Sequence, residues 1–61
     1  MNIELPTKDP VILLSVINTK LRDFYPSLTA LCEDYHVDEE TIKEKLRSID
    51  YEYDKEINQF I

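Results

Sequence analysis

The chain has 61 residues with 13 acidic against 7 basic, a net charge of −6, and its single cysteine, Cys32, can form no internal disulfide. A chain of this length holds one thin core, burying only about 60% of the surface its unfolded form exposes, and the lone thiol points to a reducing, cytoplasmic setting. The acidity repels nucleic acid and anionic membranes at long range, while 43% hydrophobic residues beside 33% charged ones exclude a chain disordered throughout.

The opening residues MNIELPTKDP lack the positive region and apolar core of a signal peptide. Residues 1–8 read as an extended arm, in which Ile3 and Leu5 alternate and can add a strand beside the C-terminal segment. The longest apolar run, Val11 to Leu14, is too short to span a bilayer, so no membrane association is expected. Asp9-Pro10 then supplies an N-cap acid followed by proline at the first helical position, where its missing N–H is harmless. A first helix is expected over 9–25. Leu13, Leu14, Ile17, Leu21 and Phe24 recur at three- and four-residue steps to make its apolar face, and Tyr25 before Pro26 ends it. Ile12 and Val16 widen the stripe beyond what one neighbouring helix covers. The C-terminal segment is the expected cover, with self-association as the alternative.

Ser27 caps a second helix over 27–36, whose Leu28, Leu31, Cys32 and Tyr35 fall at i, i+3, i+4 and i+7. After a turn at His36-Val37, Asp38 caps a third helix over 38–48. Glu39 and Glu40 sit favourably in its first turn, Val37 and Ile42 occupy the two positions of a hydrophobic staple, and Ile42, Leu46 and Ile49 form a narrow stripe. Glu39, Glu40, Lys43, Glu44, Lys45 and Arg47 are placed outside it. The sequence contains no glycine, so any left-handed backbone position must be filled by Asn, Asp or His.

Residues 50–61, DYEYDKEINQFI, support two structures. The tyrosine-rich alternation suggests a β-hairpin, whereas the spacing of Ile49, Tyr53, Ile57 and Phe60 lets the third helix continue to the C-terminus. Strand propensity, and the ability of Asp50 to end a helix in the left-handed conformation, favour the hairpin. The expected fold is therefore mainly α, a small α+β domain occupying 1–61: a helix-turn-helix-like three-helix bundle with a C-terminal hairpin.

Leu28, Leu31, Cys32, Val37, Ile42 and Leu46 have the spacing of a helix-turn-helix, and a hairpin would make it a minimal winged version. In that role Thr41, Lys43, Lys45 and Arg47 would touch DNA. Charge opposes it. Residues 38–48 carry four acids against three bases, and Asp50, Glu52, Asp54 and Glu56 against Lys55 leave the hairpin at −3. Catalytic groups are scarce: Cys32 sits on an apolar helix face, His36 is the lone histidine, and neither a zinc ligand set nor a calcium loop can be assembled. No enzyme, cofactor or small-molecule substrate is expected.

The segments LPTKDPVILLSVINTKLRD (5–23) and YEYDKEINQF (51–60), with LTALCEDYHVDEETIKEKL between them, resemble a family of short bacterial proteins known as domain of unknown function 4250. The resemblance spans nearly the whole chain and implies a bacterial origin, a self-contained domain and no assigned activity. In that family the position of Asp50 is often glycine. Among its motif residues, Ser15, Asn18, Arg22, Asn58 and Gln59 are polar and not explained by capping or packing. They suggest a cluster in which Asn18 and Arg22 hold the Asn58-Gln59 segment against the first helix.

Two functions follow as expectations. The first is a module for contact with another protein or with itself, through Ile12, Val16, Tyr51, Tyr53 and Phe60. The alternative is a winged-helix-type DNA-binding regulator acting as a dimer.

Overall fold

Each helix begins at a side chain able to satisfy its free N–H groups. In the computed structural model, which describes Leu5, Pro6 and residues 8–61, the Asp9 carboxylate accepts the N–H groups of Val11 and Ile12 at 3.0 and 3.3 Å and starts α1 (Pro10–Asp23). The Ser27 hydroxyl accepts the Ala30 N–H at 3.1 Å and starts α2 (Leu28–Tyr35). The Asp38 carboxylate accepts the Glu40 N–H at 3.0 Å and starts α3 (Glu39–Arg47). The chain closes with β1 (Tyr53–Asp54) and β2 (Gln59–Phe60), an antiparallel hairpin. The expectations for the arm at residues 1–4 and 7, including a strand through Ile3, lie outside the described residues, while Leu5 belongs to the core.

Helix ends explain the chain's turns. α1 stops two residues before the expected position 25, with the Phe24 and Tyr25 N–H groups both bonded to the Lys20 carbonyl at 2.8 and 3.0 Å. α2 closes at His36, whose φ is 58°: the N–H of Val37 reaches back to the Cys32 carbonyl and that of His36 to the Glu33 carbonyl. The same pair of bonds ends α3, from Tyr51 to Leu46 and from Asp50 to Arg47, with Asp50 at φ 66°. Both are Schellman closures, which normally place glycine at the left-handed position. With Asn58 at φ 54°, the three left-handed residues are one His, one Asp and one Asn, the types a glycine-free chain has for the purpose.

Asp50 is also why α3 does not continue to the C-terminus. Beyond it Tyr53 pairs with Phe60 and Asp54 with Gln59 across a turn over 55–58. Glu52 and Ile61 extend the ladder, each donating its N–H to the other's carbonyl at 2.9 Å.

Leu13, Ile17 and Leu21 of α1, Leu28, Leu31 and Cys32 of α2, and Ile42 and Leu46 of α3 bury against one another and against Phe60 of β2. Phe24, expected on the apolar face of the first helix, is 71% exposed because it lies past the last turn. There the Lys20 ammonium stands 5.9 Å from its ring centroid and 5.5 Å from that of Tyr35. Among the described residues no helix is long and apolar enough to cross a membrane.

Candidate functional site

Three side-chain amides fasten the hairpin to α1. The residues of an antiparallel ladder alternate between pairs that exchange hydrogen bonds and pairs whose N–H and C=O point outward. Because Glu52 and Ile61 exchange bonds, the next pair, Tyr53 and Phe60, points its backbone groups away from the hairpin on both sides. On the β2 side, Asn18 meets them as a neighbouring strand would: its Oδ1 accepts the Phe60 N–H at 2.8 Å and its Nδ2 donates to the Phe60 carbonyl at 3.0 Å.

Asn58 does more from its left-handed position in the turn. Its Nδ2 donates to the carbonyls of Leu21 and Tyr25 at 3.0 and 2.9 Å, covering the C-terminal end of α1, and its Oδ1 accepts the Tyr53 hydroxyl proton at 2.6 Å. Gln59 Nε2 adds bonds to the carbonyls of Asn18 and Asn58 at 3.0 and 2.8 Å. The Tyr53 hydroxyl also accepts the Leu28 N–H at 3.2 Å. One phenol thus joins the start of α2, the hairpin and the end of α1.

The expected cluster is therefore built by Asn18, Asn58 and Gln59 but not by Arg22 or Ser15. Arg22 pairs instead with its exposed neighbour Asp23 at 3.0 Å, whose carboxyl the guanidinium holds below the usual range by hydrogen bonding. Ser15 is exposed and makes no side-chain hydrogen bond among the described residues. The reason is helical phase: Asn18 lies on the stripe facing β2, and a residue four positions on is rotated about 40° further round.

The expected interface residues divide. Phe60 is 2% exposed and stacks on Tyr53 with ring centroids 5.4 Å apart, so Phe60 is core and unavailable to a partner, and Tyr53 is committed to internal bonds. Val16 packs against the core. Ile12 remains 52% exposed, so the hairpin, which lies against Asn18, does not cover it as expected.

The four expected nucleic-acid contacts divide as well. Thr41 and Lys45 form one stripe of α3 and Lys43 and Arg47 another, and at 100° per residue the two stripes stand about 160° apart around the helix. They flank the buried stripe of Ile42 and Leu46 on opposite sides. Lys43 is engaged besides, 3.1 Å from Glu39. Thr29 of α2 donates its hydroxyl proton to Glu39 at 2.8 Å, and these two contacts, the Thr29 bond first, hold the Glu39 carboxyl below its ordinary value.

What the sequence reading missed lies between these parts. A cleft of about 540 Å³ opens beside β1. One wall is the start of α2, from Pro26 to Thr29, and another is the Glu39, Lys43 and Arg47 stripe of α3. The third is β1 and its flanks, with Tyr51, Glu52, Tyr53 and Lys55 lining the space, whereas β2 contributes Phe60 alone. The cleft thus follows the edge of the hairpin that β2 does not use. Along it the Tyr53 N–H and C=O make no hydrogen bond among the described residues. The alternation of YEYD indicates a strand, but the open edge depends on register, which spacing does not fix.

Cys32 is no rival site. It is 4% exposed, and burial first, with Glu39 and Asp38 adding to it, pushes its thiol up to about 11, which leaves little thiolate near neutrality. Among the described residues no group of three or more His, Cys, Asp or Glu side chains is placed to hold a metal ion.

These features define a small α+β domain: three capped helices closed by an amide-fastened hairpin. The chain belongs to the family described as Domain of unknown function (DUF4250), whose model matches residues 7–60. No match to the chain was found among curated proteins or among solved structures.

Proposed function

We propose that this domain is a protein-contact module of the bacterial cytoplasm rather than an enzyme or a DNA-binding regulator, and that it receives a stretch of polypeptide in the cleft beside β1. The observation that carries this is the outer edge at Tyr53, unpaired among the described residues and bordered by a cleft of about 540 Å³. A free strand edge is a template for another chain's backbone. Against DNA stands the net charge of −6.

The test is a selection of random-sequence peptides on the immobilised 61-residue chain, followed by amide chemical-shift mapping of the enriched peptides. Protein contact gives enriched peptides that shift the amides of Thr29, Arg47, Tyr53 and Lys55. Absence of enrichment, together with shifts at Lys43, Lys45 and Arg47 on adding duplex DNA at low salt, where phosphate binding is strongest, would overturn it in favour of the regulator.

A further inference from the structure

We infer that the segment entering this cleft is an extended strand that alternates basic with apolar residues, added antiparallel to β1 with an apolar residue opposite Tyr53. The inference rests on the protein-contact role and specifies its partner's chemistry.

Backbone geometry sets the extended form. Phe60 and Tyr53 are the two halves of one outward-facing pair, and on the Phe60 side Asn18 supplies what such a residue takes, one acceptor for its N–H and one donor for its C=O. Tyr53 presents the same two groups toward the cleft, where they make no hydrogen bond among the described residues. The backbone inside a helix is already paired and cannot meet them. One residue of an antiparallel strand meets both.

Alternation sets the side chains. Residues directly opposite in a ladder share a face, and their neighbours turn to the other. The residue opposite Tyr53 therefore lies on the face where the Tyr53 ring stacks on Phe60 and its hydroxyl reaches the start of α2 at Leu28, an apolar floor that suits an apolar side chain. The residues on either side of it fall opposite Glu52 and Asp54, on the other face. Neither acid forms an ion pair among the described residues, and Asp54 uses only one oxygen, on the Glu56 N–H. Cations at those two positions complete two cross-strand pairs, whereas carboxylates there would meet like charge.

The lining as a whole selects no sign, since Lys43, Arg47 and Lys55 stand against Glu39 and Glu52. Position along the strand does. Lys43 is paired with Glu39, Arg47 stands on the α3 wall, and Lys55 falls by alternation on the Tyr53 face, opposite an apolar residue of the added strand. Asp50, Glu52, Asp54 and Glu56 against Lys55 leave this edge at −3 on a chain of −6, which draws a cationic segment toward it from a distance.

The test uses synthetic peptides of one length on the full chain: valine alternating with lysine, valine alternating with glutamate, and the lysine peptide N-methylated either at its valines or at its lysines. The lysine peptide should bind about tenfold more tightly than the glutamate peptide, as two partly exposed charge pairs allow, and should shift the Tyr53 amide. Valine N-methylation removes the N–H groups that face β1 and should abolish binding, whereas lysine N-methylation, on the far edge, should not. Any cationic peptide is drawn to an acidic chain, so two variants of equal charge separate the site from the overall field. E52Q/D54N, which keeps an oxygen for the Glu56 N–H, should lose most of the tenfold preference. E40Q/E44Q, altered at exposed positions of α3 outside the cleft, should keep it.

Equal binding of the two peptides at Tyr53, or an equal loss of preference in both variants, would overturn the inference while leaving protein contact intact. Lysine-peptide binding that valine N-methylation does not weaken would overturn strand addition. Failure of every peptide to shift the Tyr53 amide would overturn the inference outright, and duplex DNA shifting Lys45 and Arg47 in the same sample would remove the role it rests on.

Discussion

Asn58 shows how one side chain can be both a turn former and a fastener. Its left-handed backbone suits the hairpin turn, yet glycine there would keep the turn and lose three hydrogen bonds to Leu21, Tyr25 and Tyr53. The near-isosteric Asn58→Asp separates the two roles, since a carboxylate faces two carbonyls with no proton to give. It should cost about 2–3 kcal/mol, the scale for leaving part-buried acceptors unpaired beside a charge, read as a fall in urea midpoint at unchanged slope. A loss below about 0.5 kcal/mol would mean that the amide contacts add nothing.

Tyr25 supplies a second prediction at this scale, with a defined sign. Its hydroxyl proton bonds to Asp34, and that bond first, with burial and the Asp34 charge adding, raises its pKa from 10.0 to about 12. A folded-state value above the unfolded one means that the folded form holds the proton more tightly. The contribution is therefore complete below about pH 10 and is lost as pH rises toward 12. The melting temperature of the Tyr25→Phe protein should approach that of the parent across this window, and a constant gap would contradict the coupling.

Among the elements, helix closure decides most of the architecture. His36 and Asp50 both stand at Schellman positions with positive φ, a conformation that costs an L-residue about 1–2 kcal/mol relative to its right-handed form, less for Asp and Asn. Asp50→Gly should therefore raise stability by roughly 0.5 kcal/mol after allowing for glycine's greater unfolded freedom. Chemical denaturation measures it, and destabilisation would show that the aspartate side chain contributes something the closure alone does not explain.

The helices were legible because their signals are local. Asp9, Ser27 and Asp38 each sit one residue before a helix, and the hairpin was separable from a longer third helix through the strand propensity of its tyrosine-rich run and what Asp50 can do. The polar seam was legible in part. Among the motif residues of the resembled family, Asn18, Asn58 and Gln59 stood out as polar without a local task, but Ser15 and Arg22 share that description and are exposed, because helical phase relative to a distant hairpin is a tertiary fact. The Tyr53 hydroxyl, bonded to Leu28 from 25 residues away, gave no sequence signal beyond an aromatic in a strand. The division of the α3 cations follows from 3.6-residue geometry once the core-facing side of the helix is known.

At the scale of the molecule, the hairpin is asymmetric. Its β2 edge is covered by α1 through Asn18, and its β1 edge faces a cleft that no described residue fills. Small proteins with exposed strand edges usually blunt them with charge or short length. Here both devices are present, a two-residue strand flanked by Glu52 and Lys55, and among the described residues the Tyr53 N–H and C=O stay unbonded. That asymmetry is the central claim, and hydrogen–deuterium exchange of the free protein tests it most directly. The Phe60 amide, held by Asn18, should exchange with the slow core amides, and the Tyr53 amide, its counterpart across the ladder, should exchange with the fast surface amides. If Tyr53 proves as protected as Phe60, the edge is already covered within the chain and the contact surface proposed for it does not exist.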